Sequence, residues 1–243
     1  MRLITFAKRN FKEIVRDPLN LSFLFGFPIV LLLLLSAIQA NIPISMFEIE
    51  HLSPGIAVFG LAFLTLFSAT LIAKDRQSSL MHRLYTTPMT PVDFILGYTL
   101  PMIPIGLTEG VACYIFAVIL GLEISVDLLL SIILIIPIAL LYIGIGLLSG
   151  SVFNDKQVGG ICGALLTNLS AWLSGIWFDL ELVGGTFQKI AYALPFVHAV
   201  EMERAALAGN FADIFPHLCW VLGYAAITLA VAVVLFLRQM KNQ

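Results

Sequence analysis

Glu109 is the one acidic residue set deep inside an apolar block of this 243-residue chain. Pro101, Pro104, Gly106 and Gly110 surround it, so the helix carrying it is expected to bend or break. A charge at such depth costs several kcal/mol unless it is paired or neutralised. Two readings stay open: a carboxyl that couples ion movement to work, or one that bonds backbone groups freed by the prolines. The other reactive side chains spell out no catalyst. His51, His82, His198 and His217 stand isolated and lack metal-ligand spacing. Ser149 lies among glycines in Gly146-Leu147-Leu148-Ser149-Gly150, without the nucleophile-elbow spacing, and reads as helix packing. No Gly-rich loop ends in Gly-Lys-Ser/Thr, so nothing here cradles nucleotide phosphates in the Walker manner. Cys113, Cys162 and Cys219 are odd in number and each sits in an apolar stretch, as buried hydrophobes do. No catalytic or metal-binding residue is assigned.

The elements that would position these residues are long and apolar. Hydrophobic residues make up 60% of the chain and charged ones 12%, with a mean hydropathy of +1.00. A soluble domain carries about 25% charged residues. Because a bilayer core needs about 20 apolar residues of helix, six stretches qualify: Leu19–Ala40, Pro54–Ala73, Pro91–Gly121, Leu128–Gly150, Gln157–Phe178 and His217–Leu237. Asp17-Pro18, Ser53-Pro54 and Thr90-Pro91 each place a capping acceptor before a proline suited to a helix start. Asp93, three residues after Thr90, approaches a capping box. The expected fold is an all-α polytopic membrane protein, with residues 1–243 forming one membrane domain.

Charge sets the expected orientation. Arg2, Lys8, Arg9, Lys12 and Arg16 precede the first span, Lys74, Arg76 and Arg83 follow the second, Lys156 the fourth, and Arg238 and Lys241 the sixth. The other side is acidic, so both termini are expected in the cytoplasm. A cleaved signal peptide is a competing reading of the first span, but it would leave five spans and spoil the charge alternation. Within residues 1–16, Leu3, Ile4, Ala7, Phe11, Ile14 and Val15 share one helical arc and the basic residues the opposite one. That pattern suits a helix lying in the headgroup layer, with or without packing on protein.

Three further segments carry functional expectations. Thr65 and Ser68, then Asn168, Trp172 and Gly175, recur at helical spacing, and either line a passage or bond helices together. The charged segment from Lys74 to Pro88 leaves Leu80, Met81, Leu84 and Tyr85 beside Arg76 and Arg83, which suits a docking surface. Residues 180–215 are too apolar for a loop. Gly184-Gly185, Pro195 and Gly209-Asn210 divide them into two short helices expected to dip into the outer leaflet as re-entrant elements.

Arg16-Asp17-Pro18 with Phe25-Gly26-Phe27-Pro28, Leu84 with Thr87-Pro88, Ser174-Gly175, Leu194-Pro195 and Glu203-Arg204 through Gly209 occur in an order that resembles the membrane subunits of type-2 ABC exporters. Lys74-Asp75-Arg76 and Ser78-Ser79 depart from that family, whose loop has an acidic residue and a glycine there. The resemblance implies a permease in the plasma membrane, paired with a second membrane subunit and two separate ABC ATPase subunits. ATP and Mg would sit on those ATPases, and this chain would bind no cofactor. The first helix and the 74–90 loop would rest on them, with Arg76, Leu80, Met81, Arg83, Leu84 and Tyr85 as coupling residues. Thr65, Ser68, Asn168, Trp172 and Gly175 would line the export path, and the 180–215 helices would form its lid. Short external loops suit amphipathic cargo such as a drug, antibiotic, peptide or lipid, and no nucleic acid is expected. An ion-gradient-driven transporter or channel using Glu109 is the alternative.

Overall fold

The computed structural model describes residues 2–42, 47–78 and 90–241, and every regular element among them is helical. The long helices are α1 (Arg2–Val15), α2 (Pro18–Gln39), α3 (Ile49–Gln77), α4 (Pro91–Ile119) and α5 (Val126–Val152). Helical turns then cover residues 155–173 (α6), followed by α7 (Leu180–Val183), α8 (Gly185–Ala193), α9 (Pro195–Leu207) and α10 (Phe211–Lys241). Five of these, α2 to α5 and α10, are long and apolar enough to cross a bilayer. The expected fifth span, Gln157–Phe178, is represented by α6, which ends at Leu173. Thr167, Asn168 and Ser170 dilute its apolar run, and its turns widen to π geometry over Gly159–Leu166.

α3 is the centre of the bundle. Of its apolar window 89% is buried, against 17% for α2 and for α10, so the flanking helices present most of their surface outward. α3 lies closest to α5 because glycines admit it. A Cβ on Gly146 would fall 1.8 Å from Ser68 Oγ, and one on Gly150 would fall 2.5 Å from the Ala69 carbonyl oxygen. Close approach through small residues replaces the hydrophobic drive that lipid does not supply.

Two of the three expected proline starts form. Asp17 accepts from the Asn20 amide at 3.2 Å. Thr90 and Asp93 make a reciprocal capping box, 3.2 Å and 2.8 Å. The third is corrected: α3 starts at Ile49, and Ser53 and Pro54 lie inside it. Pro54 needs only the carbonyl of Glu50 to go without its helical donor, near an end where unpaired groups are common. α10 likewise starts at Phe211 and takes Pro216 inside. Nor do Pro101 and Pro104 break α4, which is continuous from Pro91 to Ile119.

α1 divides into three sectors rather than two. Ile4, Phe11 and Val15 are exposed, Lys8, Lys12 and Arg16 form an exposed basic row, and Phe6, Asn10 and Ile14 are buried at four-residue spacing. The buried stripe meets α4: Phe6 packs edge-on against Tyr98, with ring centroids 5.0 Å apart.

Candidate functional site

At the basic end of the bundle, α1 grips both helices that flank the 79–89 segment. Asp75 in the last turn of α3 is 3% exposed. It accepts from Arg9 Nη1 at 2.5 Å, from Arg9 Nη2 at 2.8 Å and from the Tyr98 hydroxyl at 2.9 Å. Burial works against the Arg9 charge, but the bonds and charge of Asp75 outweigh it and raise the guanidinium pKa. Hydrogen bonds to a charged group contribute about 1.5–3 kcal/mol each. Glu13 is a second carboxylate partner of Arg9, at 2.6 Å. Beside them Asn10, fully buried, donates to the Gly97 carbonyl at 2.9 Å. Pro101, four residues on, has no N–H to offer that carbonyl, and Asn10 supplies the donor instead. Arg76 donates to the Gly150 carbonyl at 2.7 Å, tying α3 to the end of α5. Leu80, Met81, Arg83, Leu84 and Tyr85, the rest of the expected docking surface, lie outside the described residues.

Mid-bundle, the expected path residues separate into two places. Thr65 and Ser68 are fully buried between α3 and α5. Thr65 Oγ1 donates to the Tyr142 carbonyl at 2.9 Å, and Ser68 Oγ to the Leu64 carbonyl at 2.6 Å. Asn168 and Trp172 are exposed on α6, together with Leu165 and Leu169. Gly175 is buried with φ +72°, a left-handed turn that suits glycine and closes α6. Glu109 is fully buried. Its Oε1 accepts from the Cys113 thiol at 3.1 Å, and its Oε2 has no hydrogen-bond partner among the described residues. Gly60 makes room for it, since a Cβ there would stand 1.8 Å from Glu109 Oε1.

At the acidic end, helices distant in sequence are cross-linked by polar groups. The reading of His198 and His217 as isolated is corrected, because their Nδ1 atoms lie 2.8 Å apart. Nineteen residues separate them; the turn at Gly209, φ +69°, folds α10 back along α9 and brings them together. No third His, Cys, Asp or Glu gathers with them as a metal set among the described residues. Glu203 of α9 is fully buried and accepts from the Tyr114 hydroxyl of α4 at 2.7 Å. Burial pushes its carboxyl up to about 8, although the Tyr114 bond pulls the other way. Arg204 bonds Glu201 at 2.9 Å, the Gly175 carbonyl at 3.1 Å and the His51 carbonyl at 3.4 Å, joining α9 to the end of α6 and the first turn of α3. A cleft of about 290 Å³ opens there, lined by His51, Asp179, Glu181, Tyr192, Glu201 and Arg204.

Sequence reasoning missed Asp75 as a buried partner, the Asn10–Gly97 bond, the histidine pair and the Tyr114–Glu203 bond. Only the second had a local signal: a proline inside an apolar helix announces a carbonyl in need of a donor. The model of the ABC-2 type transporter family matches residues 1–208, from α1 to the end of α9. No curated protein matches the chain.

Proposed function

The chain belongs to the ABC-2 type transporter family, and from that premise we propose that it is the membrane half of an ATP-driven exporter. Membership makes it an ABC transporter permease, a multi-pass transport component rather than a catalyst, which associates with ABC ATPase subunits and the bilayer. The finer reading concerns direction, stoichiometry and path.

In that reading both termini face the cytoplasm, α6 serves as the fifth of six spans, and α7 to α9 are re-entrant elements of the outer leaflet. Two membrane subunits, identical or different, meet two ATPases, which hold the ATP and Mg. The export path runs along the exposed face of α6, with Asn168 and Trp172 toward the cargo and Gly175 at the turn above. Thr65 stands behind it and bonds α3 to α5, while Ser68 packs into the space left at Gly146. An aromatic and amide face among leucines suits an amphipathic cargo, which has both parts to match. Arg76 and residues 80–85 dock the ATPase. α7 to α9 lid the path.

The observation that carries this reading is the family match over α1 to α9, which includes the docking segment and the acidic-end helices in one run. The test is co-expression with an ABC ATPase from the same genome. The two should co-purify in detergent, Leu84→Asp should break the complex, and proteoliposomes should move an amphipathic dye only with ATP. A purified chain that hydrolyses ATP alone, or dye movement that follows a proton gradient without ATP, would overturn the proposal.

A further inference from the structure

Tyr192 and Ala193 close α8, and a helix end leaves its last carbonyls without helical donors. His198 Nε2 of α9 answers the first at 3.0 Å, and the Tyr224 hydroxyl of α10 answers the second at 2.7 Å. The other nitrogen of His198, Nδ1, meets His217 Nδ1 of α10 at 2.8 Å. Trp220 of α10 lies over the same imidazole, 4.7 Å away and 12° from parallel, and Tyr224 stacks on Trp220 in turn. His217, Trp220 and Tyr224 fall at spacings of three and four, so one face of α10 holds both the end of α8 and the start of α9.

A single ring stands between two of these bonds. His198 donates to α8 with one nitrogen and accepts from α10 with the other, which an imidazole does only while neutral. A proton taken up by His217 leaves the contact in place, because the charged ring still donates from Nδ1. A further proton on His198 Nδ1 sets two N–H groups and two like charges against each other. The bond to Tyr192 survives that step, and the bond to His217 does not.

The groups around the pair do not neutralise it. α8 presents Tyr192, edge-on to His198. Glu201 of α9 bears on His198 but is bonded to Arg204 at 2.9 Å. Asp213, one turn before His217 on α10, is bonded by the Asn210 amide. Glu203 of α9 is turned to Tyr114 of α4. Among the described residues neither imidazole is ion-paired with a carboxylate.

We propose that the His198–His217 pair is an acid-released clasp: it holds the first turns of α10 against α8 and α9 until both rings are charged, and then lets them go. α9 keeps its other seats, through Arg204 to Gly175 and through Glu203 to Tyr114. Acidity thus loosens one edge of the acidic end and leaves the rest of it packed. Nothing in the clasp depends on cargo, nucleotide or the direction of transport, so it stands or falls apart from the exporter reading.

The test is amide hydrogen exchange, read by mass spectrometry on the full chain in nanodiscs at pH 7.5 and 5.0. Each rate is divided by the intrinsic chemical rate at its pH. His198→Asn keeps an acceptor where Nδ1 stood and takes up no proton. Glu203 is present in every protein compared, so its own titration cancels. Protection of residues 211–224 in the parent should fall about fivefold relative to His198→Asn as the pH drops, the loss of one hydrogen bond. His217→Asp sets a carboxylate opposite Nδ1, to which a charged His198 donates, so its protection should rise about threefold or more over the same interval. Equal falls in the parent and His198→Asn would overturn the proposal. So would a His217→Asp protein that loosens in acid as the parent does, and that comparison decides alone if His198→Asn fails to fold.

Discussion

His198 and His217 face each other through their Nδ1 atoms at 2.8 Å, and that distance permits one proton between them, not two. His198 Nε2 lies 3.0 Å from the Tyr192 carbonyl, which can only accept, so Nε2 carries a hydrogen. The Nδ1 of a neutral His198 is then the acceptor and His217 the donor. Burial lowers the His198 pKa first of all, and the nearby His217 adds to it; the Tyr192 bond and Glu201 oppose them. The ring is also stacked on Trp220, with centroids 4.7 Å apart.

A histidine whose folded pKa is depressed binds fewer protons folded than unfolded, so it stabilises above the ordinary value of 6.5. That contribution is lost as pH falls below 6.5. Losing one such bond costs about 1 kcal/mol, or about 2–4 °C for a chain of this size. Because the Glu203 contribution grows over the same interval, the difference between two proteins is what reads the pair: in thermal melts in detergent the parent should lose about that much relative to His198→Gln between pH 7.5 and 5.5. Equal acid sensitivity in both would remove the pair as its cause.

Glu203 works in the opposite direction. With its pKa raised to about 8 it is neutral in the fold at pH 7, where the unfolded carboxyl is charged. Its contribution is whole below the ordinary value of 4.5 and shrinks as pH rises through about 8. Glu203→Gln keeps an acceptor for Tyr114 and should flatten the melting temperature between pH 7 and 9. Glu203→Ala leaves the Tyr114 hydroxyl unpaired and should cost about 1–3 kcal/mol at either pH. A Gln variant that loses as much as the Ala variant would contradict this.

Gly146 should tolerate no side chain. A Cβ there meets Ser68 Oγ at 1.8 Å and the Thr65 carbonyl oxygen at 2.6 Å, and the second is backbone. Gly146→Val forces α3 and α5 apart, with an expected loss of about 3 kcal/mol or more from overpacking. Gly159→Ala, on α6 with nothing within 4 Å of its added carbon, is the control and should be silent. Yields of monodisperse protein and melting temperatures read both. A stable Gly146→Val protein would mean that the α3–α5 seam is not as close as these distances require.

These sites differ in how far the sequence announced them. The apolar blocks and the Thr90–Asp93 box were legible because hydropathy and capping act within one element. The short helices before Gly209 were legible for the same reason. Pro54 misled because a proline marks a helix start only statistically, and a helix end near water tolerates one orphan carbonyl. Thr65 and Ser68 read as a polar stripe, but the glycines of a distant helix decide that they face α5. The histidine pair, Tyr114–Glu203 and Arg9–Asp75 all span separate elements, and no local pattern encodes such distances. Asp75 looked like one charge in an exposed run; tertiary packing made it the buried centre of the basic end.

Glu109 was the most conspicuous residue in the sequence, and we propose that its role is structural. Among the described residues its one hydrogen-bond partner is the Cys113 thiol, and it occupies space that Gly60 leaves on α3. Glutamine has nearly the same shape and can still accept from that thiol. Glu109→Gln should therefore fold normally and keep ATP-driven dye transport within about twofold, since the bond from Cys113 is kept. Gly60→Ala should do more harm than Glu109→Gln, because its new carbon would fall 1.8 Å from the carboxyl oxygen and drive that group from its seat. An overpacked core position of this kind costs about 1–3 kcal/mol. Transport and melting temperature in the two variants settle the matter together. If Glu109→Gln folds but transport stops, or if the parent's transport follows an imposed proton gradient, the carboxyl carries protons and the ion-coupled alternative regains its place.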